Sequence, residues 1–238
     1  PIAALRPDEI RDAAKKIQDA GITTIAISSV FSPVNPDQEK QAADIIASVI
    51  PDAKISLSHE IGRIGLLERE NAAAMNACLS LLAVKIVQSF RDALSGLGIT
   101  APFYISQNDG TLMSADFVEK YPVLTFASGP TNSMRGAAFL SGLKDAVVVD
   151  IGGTASDVGV LSQGFPREAS VAVRIGGVRT NFRMPDVLSF GLGGGSHVKP
   201  EPLQIGPQSV GYEITTRALV FGGNDVTTTD IAVAAGMA

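Results

Sequence analysis

The stretch that decides the fold is Ala146–Leu161, AVVVDIGGTASDVGVL. An apolar run reaches Asp150, turns through Gly152-Gly153-Thr154, and resumes with Val158 and Val160 in alternation. A strand entering and a strand leaving predict a β-hairpin over 146–161. Walker and Rossmann phosphate loops pass from strand into helix, so that a helix N-terminus faces the phosphate. A hairpin offers no such terminus, and an anion must be held by loop amides and hydroxyls. Gly152 and Gly153 let backbone approach without Cβ interference, and Thr154 and Ser156 add hydroxyls. Asp150 and Asp157 flank the turn, where a carboxylate can hold a Mg²⁺ hydration shell or orient a water. The bland alternative is a tight turn in which Asp and Gly serve as turn residues.

The surrounding sequence is that of an α/β protein. The chain of 238 residues is 45% hydrophobic and 18% charged, which excludes disorder. Its net charge of −5 comes without a basic run, so nucleic acid is not expected as a partner. Lys85, Gln88 and Asp150 interrupt the apolar stretches, so a membrane span is not expected either. Cys78, the single cysteine, rules out an internal disulfide framework; the expected compartment is the cytoplasm.

Upstream of the hairpin, strands alternate with helices. Pro7–Ala20 has helical spacing of Ile10, Ala13, Ala14 and Ile17, and Thr23–Phe31 is a continuous, β-branched run that predicts a buried strand. Asn35 is the expected cap and Pro36 the first position of a helix running to about Val49. Lys54–Leu57 predicts a strand that ends at Ser58-His59-Glu60. The longest helix is expected over Leu67–Leu94, with Met75, Leu79, Leu82, Ile86 and Phe90 forming its apolar face. Phe103–Ser106 predicts a further strand and Ser133–Leu143 a further helix.

Asp150-Ile-Gly-Gly-Thr-Ala-Ser-Asp157-Val-Gly resembles the phosphate motif of the actin, sugar-kinase and Hsp70 superfamily, in the form used by the hydantoinase A/oxoprolinase family. Other stretches match that family in order: Ser58-His-Glu-Ile-Gly, Glu68-Arg69 with Asn76-Ala77, Ser106-Gln-Asn-Asp-Gly110, and Ser128-Gly-Pro130. Gly193-Gly-Gly-Ser196, Gly206-Pro-Gln-Ser209 and Thr227-Thr-Thr-Asp230 continue the match. The resemblance implies an actin-like (ribonuclease H-like) two-lobed ATPase fold. It further implies an internal fragment without the N-terminal phosphate hairpin or the downstream adenosine segment. Residues 1–144 would then be the back half of the first lobe and 145–238 the start of the second.

For function, the resemblance implies ATP- and Mg²⁺-dependent opening of a small cyclic amide by phosphorylation of the amide oxygen. Gly152, Gly153, Thr154 and Ser156 would bind the phosphates, Asp150 would serve the metal, and Asp157 with Asp150 would be catalytic. A second, hydantoinase B-type subunit and an oligomer are the expected partners. A carboxylase of the acetone or acetophenone type, a kinase, and a nucleotide-responsive regulatory subunit share these motifs and stay open. Two departures from the family pattern concern the substrate rather than the fold. Thr131-Asn132-Ser133 after Ser128-Gly-Pro130 is bulkier than the usual run, and Gly211–Thr216 predicts a strand where a turn is usual.

The remaining candidates read more plainly. His59 and His197, the only histidines, are expected in solvated loops, although a metal or acid–base role is open to them. Glu68-Arg69-Glu70 reads as a solvated helix start, and only the resemblance raises Arg69 to a site residue. Cys78 is expected to be packed and inert. Gly191–Ser196 is no dinucleotide motif, since Pro200 and Pro202 bar a following helix.

Overall fold

A computed structural model describes residues 3–170 and 172–237. The chain opens with α1 (Pro7–Asp19), β1 (Thr24–Ile27), α2 (Asp37–Val49), β2 (Lys54–Leu57), α3 (Ser58–Ile61) and α4 (Leu66–Gly96). There follow β3 (Tyr104–Ser106), β4 (Leu112–Ser114), α5 (Ala115–Lys120) and α6 (Ser128–Ser141). The hairpin strands are β5 (Ala146–Ile151) and β6 (Ser156–Ser162), with β7 (Phe165–Pro166) after them. The rest comprises β8 (Val173–Ile175), β9 (Val178–Thr180), β10 (Val187–Phe190), β11 (Ser196–Lys199), β12 (Gln204–Ser209), α7 (Ile214–Arg217) and α8 (Thr228–Ala234).

These elements form two compact units. One contains the chain up to Ser128 together with Glu168–Met184; the other contains Gly129–Arg167 and the chain from Pro185 onward. The helix α6 therefore goes with the hairpin, because Met134 and Ala138 pack on Leu161, Ala146, Val148 and Val187.

In the first unit β1 and β2 pair in parallel, Ile25 opposite Ile55 and Ile27 opposite Leu57. Ile25, Ile27 and Ile55 join Ala14 and Ile46 in one core cluster, which explains the apolar spacing of α1 and α2. The helix α2 starts at Asp37, one residue later than expected, with Pro36 at its cap position and no side-chain cap; Asn35 Oδ1 accepts from Asp37 N at 2.9 Å in the turn that precedes it. The expected strand over 23–31 stops at Ile27. Beyond it the backbone pairs with buried side chains instead of a ladder: Ser29 N donates to Glu39, and the carbonyls of Ser29 and Val30 accept from Arg69. The segment Glu168–Met184 folds back onto this unit as the β8–β9 hairpin, closed by Gly176-Gly177, both at positive φ as a two-residue turn requires.

The long helix α4 bears out only the first part of its expected face: Met75 and Leu79 pack, half-buried, against the core of Ile61, Ala72, Ala73, Tyr121, Val123 and Phe182. Its buried side is Arg69, Ala72, Ala73, Asn76, Ala77, Ser80, Ala83 and Val87, whereas Leu82, Ile86 and Phe90 are exposed. Both faces keep helical spacing, so periodicity alone does not choose between them. The small residues admit close packing against β1, β2 and β9, which a row of leucines would prevent. Asn76 completes the contact, donating to Ser56 Oγ and to the Lys120 carbonyl, each at 2.9 Å. Arg69 is buried as well, contrary to the solvated helix start, and Cys78 is exposed rather than packed. By length and composition α4 is also apolar enough to cross a membrane, with an 18-residue window of mean hydropathy 1.5, which the interrupting charges were expected to forbid.

Gly211–Thr216 is not a strand. A 3-10 turn over Gly211–Glu213 leads into α7, stabilised by the Thr216 hydroxyl on the Glu213 carbonyl and by Arg217, which bonds both Glu213 and Asp225. These local bonds outweigh the β preference of two threonines and an isoleucine.

The two stripes of α4 set up a direct comparison. Ala73→Leu should cost about 1–3 kcal/mol by overpacking, while Leu82→Ala, on the exposed side, should cost under about 1 kcal/mol. Urea unfolding midpoints of the two variants check this; the opposite ranking would restore the orientation read from the sequence.

Candidate functional site

The hairpin expected over 146–161 is present. β5 and β6 pair antiparallel, Val149 opposite Val158 and Asp150 opposite Asp157, and β10 extends the sheet with Ser189 opposite Asp157. Opposed residues share a face, so the two aspartates stand side by side. Like charges directly opposite are unfavourable unless a cation or a proton lies between them. Asp157 has a partner in the Ser189 hydroxyl, which donates to its Oδ1. The half-buried Asp150 makes no side-chain hydrogen bond or ion pair among the described residues.

Ile151 and Ser156 stand opposite each other on the other face, one residue along. Ser156 is thus separated from the aspartates, and its hydroxyl proton is spent on the Leu192 carbonyl at 2.6 Å. What it contributes is the attachment of the hairpin to the glycine-rich segment Gly191–Ser196.

That segment and the turn are stitched together through backbone. Gly194 N donates to the Gly152 carbonyl at 3.0 Å and Gly195 N to the Gly153 carbonyl at 2.7 Å. A Cβ on Gly193 would lie 2.6 Å from Gly152 O and 2.7 Å from Thr154 N, so only glycine permits this approach. A third segment closes behind it: the Thr228 hydroxyl donates to Gly193 O, and Thr229 donates to Gly194 O through its hydroxyl at 2.8 Å and its amide at 2.9 Å. Thr227 and Asp230 form a reciprocal capping box at the start of α8, which fixes those threonines. The motifs at 150–157, 193–196 and 227–230, distant in sequence, meet in one place. Sequence reading missed this role of Thr228 and Thr229; its only signal was the run of three threonines before Asp230.

The carbonyls of Gly152, Gly153, Gly193, Gly194 and Gly195 all have partners, and the turn keeps donors. Gly152 N is used within the turn, on Ala155 O at 2.9 Å. Gly153 and Thr154 are exposed residues, and their amides make no hydrogen bond to described residues. A Cβ on Gly153 would meet nothing within 4 Å. Two free amides, the Thr154 hydroxyl and an uncommitted carboxylate on one short turn fit a phosphate bound with a cation. Among the described residues no cluster of three or more His, Cys, Asp or Glu side chains is arranged to hold a metal alone. Asp150 can thus supply part of a Mg²⁺ shell, the common arrangement when phosphates and water supply the rest.

His197 lies in β11, half-buried, with Nδ1 4.0 Å from Asp225. His59 is also half-buried and sits in α3, its Nδ1 2.6 Å from Glu39. Neither is the solvated loop residue expected.

Comparison with known proteins follows these segments. The profile of the Hydantoinase/oxoprolinase family matches residues 69–237, and that of the Hydantoinase/oxoprolinase N-terminal region matches residues 1–50. The chain is 28% identical to the acetophenone carboxylase gamma subunit of Aromatoleum aromaticum, over 99% of this chain and 34% of the relative. It is 27% identical to the caprolactamase subunit alpha of Pseudomonas jessenii, over 95% and 34%. The crystal structure of the ATP-dependent caprolactamase from that organism aligns with 98% of this chain and 35% of its own, with a TM-score of 0.80 and 25% identity. The fold is therefore the actin-like ATPase fold in its hydantoinase form. The chain spans about a third of the length of these relatives.

The two glycines that touch across the loops should respond oppositely to a methyl group. Gly153→Ala points into open space at negative φ and should leave the melting temperature within a few degrees of the parent. Gly193→Ala forces two backbones apart and should cost more than about 2 kcal/mol. Thermal melts of the two variants decide it, and equal losses would dissolve the packing described.

Proposed function

Since the chain belongs to the hydantoinase/oxoprolinase family, we propose that its hairpin turn binds the phosphates of ATP and that the whole protein uses ATP to open a small cyclic amide. The observation that carries this is the turn itself, with free amides at Gly153 and Thr154 beside the opposed Asp150 and Asp157. Gly152 and Gly153 admit the anion, Thr154 adds a hydroxyl, and the stitching to Gly194 and Gly195 keeps the amides aimed without reorganisation. Asp150 is the residue for a Mg²⁺ ion, which when bound neutralises phosphate charge. Asp157, oriented by Ser189, is the second acid and can accept a hydrogen bond from a water. Ser156 belongs to the site only as the anchor of the loop.

The chemistry answers a physical problem. An amide in an unstrained ring is a poor electrophile, and its oxygen leaves badly. Phosphorylation converts that oxygen into a leaving group, after which water opens the ring. The relatives are named as subunits, which supports a second subunit that completes hydrolysis. Carboxylation of a ketone is the second reading, favoured by the 28% identity to a carboxylase subunit. Both use ATP to activate a carbonyl oxygen. ATP hydrolysis by the whole protein, stimulated by hydantoin, 5-oxoproline or caprolactam, supports ring opening; stimulation by ketone plus bicarbonate alone supports carboxylation.

Asp150→Asn provides the residue-level test. Loss of one of two opposed charges should leave the melting temperature without Mg-ATP unchanged or slightly raised. Turnover should fall at least about a hundredfold, roughly 3 kcal/mol of transition-state stabilisation. Undiminished turnover would assign Asp150 to the turn alone.

The stability of the nucleotide complex gives a separate check. Gly153→Ala places a methyl where the phosphate would sit, so it should lose most of the Mg-ATP-induced rise in melting temperature, since that rise scales with affinity. An undiminished rise would remove the hairpin from the nucleotide site.

A further inference from the structure

The first unit buries a charged network that the phosphate turn does not use. Glu39, on α2, is wholly inaccessible to solvent. Its Oε1 accepts from Ser29 N at 2.9 Å and from the Ser58 hydroxyl at 2.5 Å. Its Oε2 accepts from His59 N at 3.1 Å and lies 2.6 Å from His59 Nδ1. Burial by itself would raise the Glu39 carboxyl, but hydrogen bonds from Ser58, His59 and Ser32 outweigh it and hold the group below its ordinary value. Glu39 is therefore a carboxylate at neutral pH, which only accepts hydrogen bonds, so His59 Nδ1 must carry the proton. The tautomer follows, and Nε2 is left as the free ring atom.

The rest of the network removes slack. Arg69, 1% exposed, donates Nε to Ser58 Oγ at 2.9 Å and its remaining nitrogens to the carbonyls of Ser29, Val30, Arg63 and Gly65. Ser58 is thereby clamped between Arg69 and Glu39. Apolar side chains of similar volume would often be as stable as such buried charges, whose desolvation costs several kcal/mol each. The network ends on one atom, His59 Nε2, which makes no hydrogen bond among the described residues while the side chain keeps 13% exposure. Its location is independent support: Ser29 and Ser58-His59 follow the carboxyl ends of β1 and β2, a parallel pair, and ligands of open α/β sheets bind at that end.

We infer that Glu39 and His59 form a proton-transfer site, in which Glu39 is the positioning residue and His59 Nε2 exchanges a proton with a neutral N–H or O–H group of a small ligand. The ligand's N–H or O–H bond breaks, the proton bonds to Nε2, and the resulting imidazolium is balanced by Glu39; solvent or product then takes the proton back. That the ligand is a cyclic amide or its attacking water rests on the proposed ring opening. The oriented imidazole itself does not.

The test uses the whole protein and separates those two parts. Side-chain ¹⁵N spectra should show His59 protonated at Nδ1 with Nε2 free, and Glu39→Gln should disturb that tautomer. Proton on Nε2 alone in the parent overturns the proposal whatever the substrate. In ATP turnover stimulated by hydantoin, 5-oxoproline or caprolactam, His59→Gly should lose about a hundredfold, keep its Mg-ATP thermal shift, and recover in part with added imidazole. Unchanged turnover, or a loss that imidazole does not relieve, makes the network structural and overturns the proposal. If none of the three amides stimulates the parent, ring opening fails by itself. Diethyl pyrocarbonate then decides the dyad: rapid acylation of His59 at neutral pH sustains it, and an inert His59 overturns it.

Discussion

Two backbone hydrogen bonds, from Gly194 to Gly152 and from Gly195 to Gly153, hold the hairpin turn in the shape on which its proposed role as a phosphate site depends. They occupy the carbonyls of Gly152 and Gly153 and leave the amides of Gly153 and Thr154 without a partner among the described residues. An isolated hairpin turn would sample both orientations, and loop flexibility would weaken an anion site. Here the glycine-rich segment acts as a mould, and Thr228 and Thr229 brace it from behind. The requirement for glycine at position 193 follows from this closeness rather than from any unusual backbone angle.

The two units solve the problem of buried polarity differently. In the second, backbone groups pair with backbone groups and charge is left at the surface of the turn. In the first, Arg69 enters the interior and satisfies carbonyls released where β1 ends early. That early end is needed for the arrangement, since a strand continuing to Phe31 would have consumed the same carbonyls in a ladder. Small residues along α4 make room for the guanidinium and for Asn76 beneath the sheet. Leu82, Ile86 and Phe90 consequently face outward.

Much of this was legible in one dimension. The hairpin, the alternation of strands and helices and the family were readable because each depends on neighbours within a few residues, or on a string of motifs in order. The burial along α4 was legible only at Met75 and Leu79, because two helical stripes coexist and apolarity alone did not show that Leu82, Ile86 and Phe90 face outward. The strand expected at Gly211–Thr216 failed for a related reason: the bonds of Arg217 to Glu213 and Asp225 are specific contacts that propensity does not encode.

By itself the sequence determined the β-hairpin, through local alternation and turn chemistry, and the actin-like fold, through the ordered motifs that resemble the hydantoinase/oxoprolinase family. Only the tertiary structure decided that Asp150 and Asp157 share a face while Ser156 lies on the other, that Gly193–Gly195 mould the turn, and that Glu39 fixes the tautomer of His59. Those outcomes depend on strand register and on contacts between residues 20 to 42 positions apart, about which local periodicity carries no information.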